Sequence, residues 1–349
     1  MMTTPVDPAK SSPEVSVVVP ARNEEASLAA CLESLVAQEG VHFETIVVDD
    51  GSTDHTRDIA QSIAGVKVIE ARPLYPGWSG KSNAMFSGAQ HARGKWLLFT
   101  DADTVHKSGS LARSLEEAER FGVALLSYSP EQEVRGFWAN AVMAVIFSDL
   151  ACTYRPKDVC DPAKAVAAAN GQYMLILRDK YLEFAECADV RASLLEDVAV
   201  AKALKQSGNP IRFRLGADAV RTRMYRNFAE LRDGWTKNLA LLFRNSGRLA
   251  FERLFEFVAI IGGAASTVVL FAHEQIVLAI LAVAVASGVY TSSFIRVRRA
   301  HFGWRATLSA VFALPLFSWL LLRSRRAHQR GEVMWKGRTY DAQSRSLAG

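Results

Sequence analysis

The first two hundred residues show two patterns of apolar positions: short continuous runs, and positions that recur at helical spacing. VSVVV (15–19), ETIVVDD (44–50) and WLLFT (96–100) contain continuous apolar runs, which are typical of strands buried on both faces of a parallel sheet. Between them, apolar residues such as Leu28 and Cys31 recur at helical spacing, which predicts helices. The alternation predicts an α/β fold with an open, mostly parallel, doubly wound sheet, as in Rossmann-like domains.

The first helix of this pattern is expected to begin at Asn23. An asparagine suits the N-cap position, and Glu24 and Glu25 would suit the helix dipole in the first turn. The further predicted elements are strands at Val66–Ile69 and Gly171–Leu177 and helices at Thr53–Ser62, Lys81–Ala92 and Ser193–Lys205.

Four carboxylates follow predicted strands: Asp49, Asp50, Asp101 and Asp103. Ligands of doubly wound sheets sit at the carboxyl ends of the strands, so we expect these residues to converge on one site. The pair Asp101-x-Asp103 offers two oxygen ligands to a hard cation, which predicts a requirement for Mg²⁺ or Mn²⁺. The alternative is that these are solvated acidic turns, in which Asp54 caps a helix.

The last third of the chain is apolar over long stretches. Phe257–Ala272 and Ile276–Ile295 are almost uncharged and approach the ~20 residues that span a bilayer. The first run reaches that length if it starts at Leu254, which includes Glu256. Only residues 273–275 separate the two runs, which predicts a tight hairpin. Buried core helices are the alternative interpretation.

Two further apolar runs are shorter. Thr307–Leu322 contains Pro315, which is expected to break the hydrogen-bond ladder and make the segment re-entrant or interfacial rather than spanning. Phe137–Ala151 is predicted to be a core or interfacial helix. The expected domains are a disordered N-terminus (1–13), a catalytic domain (14–250), a membrane domain (251–325) and a basic cytoplasmic tail (326–349), which contains Trp335–Arg338.

Composition and charge narrow the function classes. With 50% apolar and 22% charged residues, the chain is not intrinsically disordered. The formal charge of +5 arises from eight arginines between Arg296 and Arg330, where no acidic residue occurs. Because they flank apolar runs, we expect them to face lipid headgroups, with Arg296 on the cytoplasmic side, and we expect no nucleic-acid partner. The polar first dozen residues argue against a signal peptide and for a cytoplasmic domain, and the scattered cysteines indicate buried free thiols.

Four segments in register resemble glycosyltransferase family 2: VSVVVPARNEEASLAACLESL, ETIVVDDGSTDHT, GKSNAMFSGAQHARGKWLLFTDADT and LLEDVAVAKAL. The resemblance covers roughly Glu14–Asn238. It implies the GT-A fold, a nucleotide-diphosphate sugar donor, a divalent metal and inversion at the anomeric carbon. It further implies that Asp103 binds the metal with Asp101, and that the donor-binding residues are Pro20, Arg22, Glu24, Asp50, Lys81, Asp101 and Gly171.

Glu196 and Asp197 match the family's acidic pair, in which the aspartate resembles a general base. Inversion by single displacement needs a carboxylate that takes the proton from the acceptor hydroxyl. Without the other motifs, the two acids would be interpreted as favourable charges at a helix N-terminus.

Processive members of the family carry Q-x-x-R-W after the base. Here Trp235 matches, but Gly234 replaces the arginine, so the departure favours transfer of a single sugar. Trp235 and Lys237 are placed with the donor-binding residues, Arg232 being another candidate for the missing charge. A core aromatic is the alternative for Trp235.

Segments PGWSGKSNA, RMYRN and MWKGRTY are more specifically similar to membrane-anchored family members associated with hopanoid and carotenoid biosynthesis. The prediction is therefore an inner-membrane enzyme that transfers one sugar to a lipid hydroxyl. The alternatives are a polyprenyl-phosphate glycosyltransferase or polysaccharide synthase, and an inactive membrane scaffold, for which the site carboxylates would be dispensable. A nucleotidylyltransferase would leave the acidic pair and the membrane hairpin without a role.

Overall fold

A computed structural model describes residues 12–335 and 338–340, which form two units. Of the described residues, the first unit contains 12–133 and Pro156–Met224, and the second contains Val134–Arg155, 225–335 and 338–340. This division differs from the predicted boundary at residue 250, because two helices upstream of it pack with the C-terminal helices. Residues 1–11, 336–337 and 341–349 lie outside the described residues, and with them most of the predicted N-terminus and part of the predicted tail.

The strands and helices follow in chain order. The strands are β1 Val15–Ala21, β2 Phe43–Asp49, β3 Val66–Glu70, β4 Trp96–Phe99, β5 Thr104–His106, β6 Leu125–Ser129, β7 Glu131–Gln132, β8 Met174–Leu177, β9 Ile211–Leu215, β10 Val220–Thr222, β11 Val333–Trp335 and β12 Arg338–Tyr340. The helices are α1 Leu28–Val36, α2 Thr56–Ser62, α3 Gly80–His91, α4 Ser110–Arg120, α5 Phe137–Thr153, α6 Pro156–Val159, α7 Arg178–Ala185, α8 Ala188–Arg191, α9 Glu196–Gln206, α10 Phe228–Leu242, α11 Ser246–Ala272, α12 Ile276–Arg298 and α13 Trp304–Arg330.

The first unit is built on a mixed sheet with strand order β3-β2-β1-β4-β8-β6-β9. Strands β1, β2, β3 and β4 are parallel, and β8 runs antiparallel to both of its neighbours. Val15, Val17 and Val19 are fully buried, as are Leu28 and Leu32 of the neighbouring helix. The predicted mostly parallel α/β sheet is therefore confirmed, and the carboxyl ends of β1, β2 and β4 share one edge.

The start of the first helix was predicted wrongly. Helix α1 begins at Leu28, and Asn23 lies outside it with φ of +53°. The Oδ1 atom of Asn23 accepts a hydrogen bond from the N–H of Thr53 at 2.8 Å, so this side chain stabilises the turn after β2 instead of capping a helix. Asp54 accepts the N–H of Thr56 at 3.1 Å, but His55 is the N-cap residue of α2, so Asp54 lies one residue before the capping position proposed for it.

The second unit contains long apolar helices. Four helical stretches are long and apolar enough to cross a membrane among the residues described: Phe137–Val159, Ser246–Ala272, Ile276–Arg298 and Trp304–Arg330. The first was expected to be too short for this, but its helical stretch continues past Ala151. The structure is consistent with association of the chain with a membrane.

Helix α13 corrects the prediction made for Pro315. The helix runs without interruption from Trp304 to Arg330, with Pro315 inside it. A proline removes a single backbone donor, and its neighbours Leu314 and Phe317 are fully buried, so packing holds the helix together. A re-entrant turn at Pro315 is therefore excluded, and the predicted tail begins within this helix.

A closed ring of charged side chains lies inside the second unit. Arg253 donates two hydrogen bonds to Asp149, at 2.9 and 2.7 Å, and a third to Glu256 at 2.8 Å. Arg296 donates to Glu256 at 2.7 Å and to Asp149 at 3.3 Å. Two arginines and two carboxylates thus neutralise each other and join α5, α11 and α12. Glu256, the acidic residue within the predicted first span, is thus paired with two arginines. Charged residues in apolar helices are expected to have such partners.

Candidate active site

The turn that carries the two predicted metal ligands follows β4 and is fixed by three elements. The hydroxyl of Thr104 donates to the carbonyl oxygen of Asp101 at 2.7 Å, and the thiol of Cys31 donates to the same oxygen at 3.6 Å. From β10, the hydroxyl of Thr222 donates to the carbonyl oxygen of Asp103 at 3.2 Å. The backbone of this acidic turn is therefore held in a set position at the edge of the sheet.

Lys81 connects this turn to the predicted base helix. It lies in the first turn of α3, and its Nζ is 2.7 Å from Oδ1 of Asp101 and 2.7 Å from Oε1 of Glu196. Burial acts to lower the pKa of Lys81, but the carboxylates of Asp101, Glu196 and Asp197 outweigh it and raise this pKa well above its usual value. The lysine is therefore a permanent cation between two carboxylates that are far apart in the sequence.

Asp197 lies in the first turn of α9 and is held by backbone donors. Its Oδ2 accepts the N–H of Gly171 at 2.7 Å, and its Oδ1 accepts the N–H of Val198 at 2.8 Å. Burial, followed by the nearby carboxylate of Glu196, raises the pKa of Asp197 to about 6, although Lys81 and the two backbone N–H groups oppose the rise. A carboxyl group with such a pKa is mostly ionised at neutral pH and remains basic enough to accept a proton.

Gly171 is the point at which these groups approach the backbone. A Cβ atom at this position would lie 2.8 Å from Nζ of Lys81, 3.3 Å from Oε1 of Glu196 and 3.5 Å from Oδ2 of Asp197. Any side chain at this position would displace the lysine from its two carboxylates. The glycine therefore leaves the space that the cluster occupies.

The ends of β1 and β2 form the neighbouring part of this edge. Pro20 lies near the end of β1. Arg22 donates from Nη1 to the carbonyl oxygen of Asp50 at 2.6 Å, and the N–H of Glu24 donates to the hydroxyl of Thr56 at 2.7 Å. These contacts fix the loop after β1 against the loop after β2, as the parallel pairing of the two strands predicts.

The thiol of Cys31 brings the two groups of acidic residues into one neighbourhood. Burial raises the pKa of Cys31 to about 12; the hydrogen bond with Thr104 opposes this rise, and the carboxylates of Asp103, Asp101 and Glu24 contribute to it. All three carboxylates therefore lie near this thiol. No functional role is predicted for Cys31, because its place in the apolar pattern of α1 carries no signal of this packing.

The expectation that the cysteines are buried holds only in part. All four are free, Cys31 is buried, and Cys187 is exposed.

Among residues 12–335 and 338–340, no group of three or more His, Cys, Asp or Glu side chains is arranged to hold a metal ion. Mg²⁺ and Mn²⁺ need no such group, because one or two carboxylates together with substrate phosphates and waters complete their coordination. The oxygen donors Asp101 and Asp103 fit this pattern.

Two of the predicted donor-binding residues, Trp235 and Lys237, belong to α10 in the second unit. Trp235 is buried, its Nε1 donates to Sδ of Met143 at 3.3 Å, and its ring meets Phe147 edge-on. The carbonyl oxygen of Lys237 accepts a hydrogen bond from His328 at 2.8 Å. These contacts favour the core-aromatic alternative for Trp235, and the donor-binding roles of both residues stay predictions.

Packing explains why Gly234 stands where processive members of the family carry an arginine. A Cβ atom at Gly234 would lie 2.5 Å from the ring of Tyr225, so this ring occupies the place of a side chain. Arg232, the other candidate for the missing charge, is held by its neighbour Asp233 at 2.7 Å.

Comparisons with known proteins agree with this geometry. Residues 16–159 match the model of the family described as Glycosyl transferase family 2. The 4,4'-diaponeurosporenoate glycosyltransferase of Staphylococcus aureus (strain USA300) is 25% identical over 342 residues, covering 93% of this chain and 88% of that protein. A solved structure, the mannosyltransferase PcManGT from Pyrobaculum calidifontis in complex with GDP-Man and Mn²⁺, superposes with a TM-score of 0.50 and 17% identity over 92% of this chain and 88% of that chain.

These matches confirm the predicted resemblance to glycosyltransferase family 2 and the predicted fold. The likeness to PcManGT extends over both units and supports the GT-A fold, and the family match covers the segment from β1 to α6. This chain is a glycosyltransferase with the GT-A fold that matches family 2 over residues 16–159 and is similar over most of its length to a 4,4'-diaponeurosporenoate glycosyltransferase.

Proposed function

We propose that this protein transfers one sugar from a nucleotide-diphosphate sugar to a lipid-borne acceptor at a membrane, with inversion at the anomeric carbon. The observation that carries the proposal is the cluster of Lys81, Asp101, Glu196 and Asp197. It joins the acidic turn after β4 to the first turn of α9 through two ion pairs of 2.7 Å. A donor-side carboxylate and a candidate base are thereby held at one edge of the sheet.

Asp197 would act as the general base. The N–H groups of Gly171 and Val198 orient its two carboxylate oxygens. The pKa of about 6 leaves the group ready to accept a proton near neutral pH. The acceptor hydroxyl would lose its proton to Asp197 as its oxygen attacks the anomeric carbon from the face opposite the leaving diphosphate. Such a single displacement inverts that carbon.

Asp101 and Asp103 would hold a divalent cation, Mg²⁺ or Mn²⁺. When bound, the cation would stabilise the negative charge that develops on the leaving nucleoside diphosphate. Support comes from the oxygen donors of the two carboxylates and from PcManGT, which shares the fold and was solved with GDP-Man and Mn²⁺. Arg22, Glu24 and Asp50, which lie at the ends of β1 and β2, would bind the nucleotide.

The acceptor would be an amphiphile in the inner membrane, reached by a catalytic unit on the cytoplasmic side. Support comes from the four apolar helical stretches and from the staphylococcal relative, whose name identifies 4,4'-diaponeurosporenoate as its substrate. A carotenoid-type or other polyprenoid acceptor is therefore the first to test. A reporter fused after Gly349 tests the orientation, and strong activity of a periplasm-dependent reporter would contradict a cytoplasmic tail.

The direct test uses membranes that contain the full chain, a panel of nucleotide sugars and lipid extracts, with mass spectrometry of the products. A lipid that gains the mass of one hexose in the presence of a divalent cation would support the proposal. The same membranes with Asp197→Asn are the matched control, and they should form roughly 10²–10⁴-fold less product from a hydroxyl acceptor. Appearance of only polyprenyl-phosphate sugar would favour the envelope-pathway alternative instead.

A further inference from the structure

A groove with three arginines lies on the last turns of α13 and is separate from the carboxylate cluster. Its cavity has a volume of about 350 Å³ and is lined by Trp319, Leu322, Arg323, Arg326, Arg330 and Glu332, among others. The arginines are spaced three and four residues apart, so they lie on one face of the helix. The groove therefore presents several guanidinium groups to one space.

The charge of the groove is not neutralised by its acidic neighbours. Among the residues that the structure describes, the one carboxylate in the lining is Glu332. It lies 3.9 Å from Nη1 of Arg330, and both side chains are more than 60% exposed, so this pair is weak. A second carboxylate, that of Asp233, is held by Arg232 through contacts of 2.7 and 3.0 Å. Arg232, and to a smaller extent Arg323, lowers the pKa of Asp233. An anion would therefore be attracted to this groove.

One arginine of the groove is oriented by the neighbouring helix. Nε of Arg323 donates to the hydroxyl of Thr236 at 3.1 Å. Because this bond uses Nε, the two Nη groups remain to contact another acceptor. Guanidinium groups fixed in this way match the geometry of phosphate and carboxylate oxygens, to which they can donate two parallel hydrogen bonds.

The same groove has an apolar wall. Trp319 is 43% exposed and Leu322 is 38% exposed, and the guanidinium of Arg323 lies 5.6 Å from the centroid of the Trp319 ring. Exposed tryptophans beside arginines are typical of positions at a membrane surface. Cationic and apolar surfaces thus adjoin each other at the end of a long apolar helix.

We propose that this groove binds the anionic headgroup of a membrane amphiphile. The phosphate or carboxylate group would be held by Arg323, Arg326 and Arg330, and the hydrocarbon next to it would lie along Trp319 and Leu322. The proposal does not depend on the transfer reaction. Binding at a specific groove differs from general attraction to an anionic bilayer, because the general attraction depends on the number of arginines and not on their position.

The test measures binding to the purified full chain in an uncharged detergent, by titration calorimetry and without nucleotide sugar. The probes are dodecyl phosphate, dodecanoate and inorganic phosphate. Arg326→Gln should weaken binding of the two amphiphiles by roughly 10–100-fold, the scale of a hydrogen bond to a charged group. Arg325→Gln is the matched control, because it removes the same charge from the next residue, whose guanidinium lies against Gly247 and not in the groove. It should change binding by less than about twofold, because longer-range charge effects are screened.

A second variant tests the apolar wall. Trp319→Ala should weaken binding of dodecyl phosphate and leave the weaker binding of inorganic phosphate unchanged. Circular dichroism confirms that each variant is folded. Equal weakening by Arg325→Gln and Arg326→Gln, no binding of either amphiphile to the unaltered chain, or binding of inorganic phosphate as tight as that of dodecyl phosphate would each overturn the proposal.

Discussion

The ammonium group of Lys81 lies 2.7 Å from Oε1 of Glu196, a residue on a different helix and in a distant part of the sequence. Because the same ammonium contacts Asp101, Lys81→Gln would leave Asp101, Glu196 and Asp197 close together without their cation. Lys81 opposes the rise in the pKa of Asp197, so the variant should shift the acidic limb of the pH–activity profile to higher pH and lower kcat/KM. An acidic limb that stays in place would contradict the proposed coupling. Lys180→Gln, which removes a partner of Glu183 on the surface, is the control.

Asp197→Asn should separate binding from chemistry. Loss of a positioned general base typically lowers kcat by 10²–10⁴-fold, whereas affinity for the nucleotide sugar should stay unchanged. In the unaltered enzyme, ionisation of Asp197 requires loss of a proton, so activity should rise with pH through about 6.

An acceptor that reacts through a carboxylate needs no base at neutral pH, because it is already ionised. Equal turnover of such an acceptor by the unaltered enzyme and by Asp197→Asn would restrict the role of Asp197 to hydroxyl acceptors. Loss of donor affinity in the variant would instead place Asp197 in the nucleotide site.

Asp103→Asn should nearly abolish transfer without unfolding the protein. The acidic turn is held through backbone carbonyl oxygens, which the substitution leaves in place. The measurements are transfer with and without EDTA, readdition of Mg²⁺ or Mn²⁺, and circular dichroism of the variant. Asp58→Asn, on the exposed face of α2 beside His55, is the matched control. Full activity in excess EDTA would contradict the metal requirement.

Gly234→Ala should destabilise the second unit. The added Cβ would lie 2.5 Å from the ring of Tyr225, and overpacking of this kind costs about 1–3 kcal/mol. The measurement is thermal unfolding in detergent. The double variant Gly234→Ala with Tyr225→Ala should lose less stability than the sum of the single variants, because it removes the clash. Additive losses would show that the ring and the glycine do not interact.

Arg253→Met should destabilise the protein far more than Arg248→Met on the same helix. Arg253 joins Asp149 and Glu256 in the buried ring, and loss of one partner from a buried ion pair costs about 3–5 kcal/mol. Arg248 pairs with Glu252 on the surface, with 78% of its side chain exposed, where such pairs contribute about 0–1 kcal/mol. The two variants remove the same charge, so equal thermal stability would refute a structural role for the ring.

The sequence predicts local features of this site better than its distant contacts. The acidic residues after β2 and β4 could be placed at one edge, because parallel strands end together and apolar runs identify the strands. The pairing of Lys81 with Glu196 could not be predicted. It depends on the antiparallel entry of β8 into the sheet, which the periodicity of the chain does not encode.

The apolar helices illustrate the same limit. Composition indicated α11 and α12, but the partners of Asp149 lie on helices that are distant along the chain, so this acid gave no signal of a buried ring. A local rule about one missing donor overestimates the effect of Pro315, because it neglects the packing of the long helix that contains this proline. The donor-binding roles of Trp235 and Lys237 rest on a motif alone. The structure shows packing contacts for Trp235 and a hydrogen bond from His328 to the backbone carbonyl oxygen of Lys237.

The charged ring also sets the order in which the protein can be assembled during its synthesis. Asp149 and Arg253 are 104 residues apart in the chain, and translation at ~5–20 residues per second separates their appearance by roughly 5–20 s. During this interval the carboxylate of Asp149 is carried by an apolar helix without either arginine, so α5 is expected to remain in water or at the bilayer surface. It would join α11 and α12 only after both have been made. Newly synthesised chains that end before Arg253 should therefore leave α5 accessible to water-soluble reagents that full-length chains exclude.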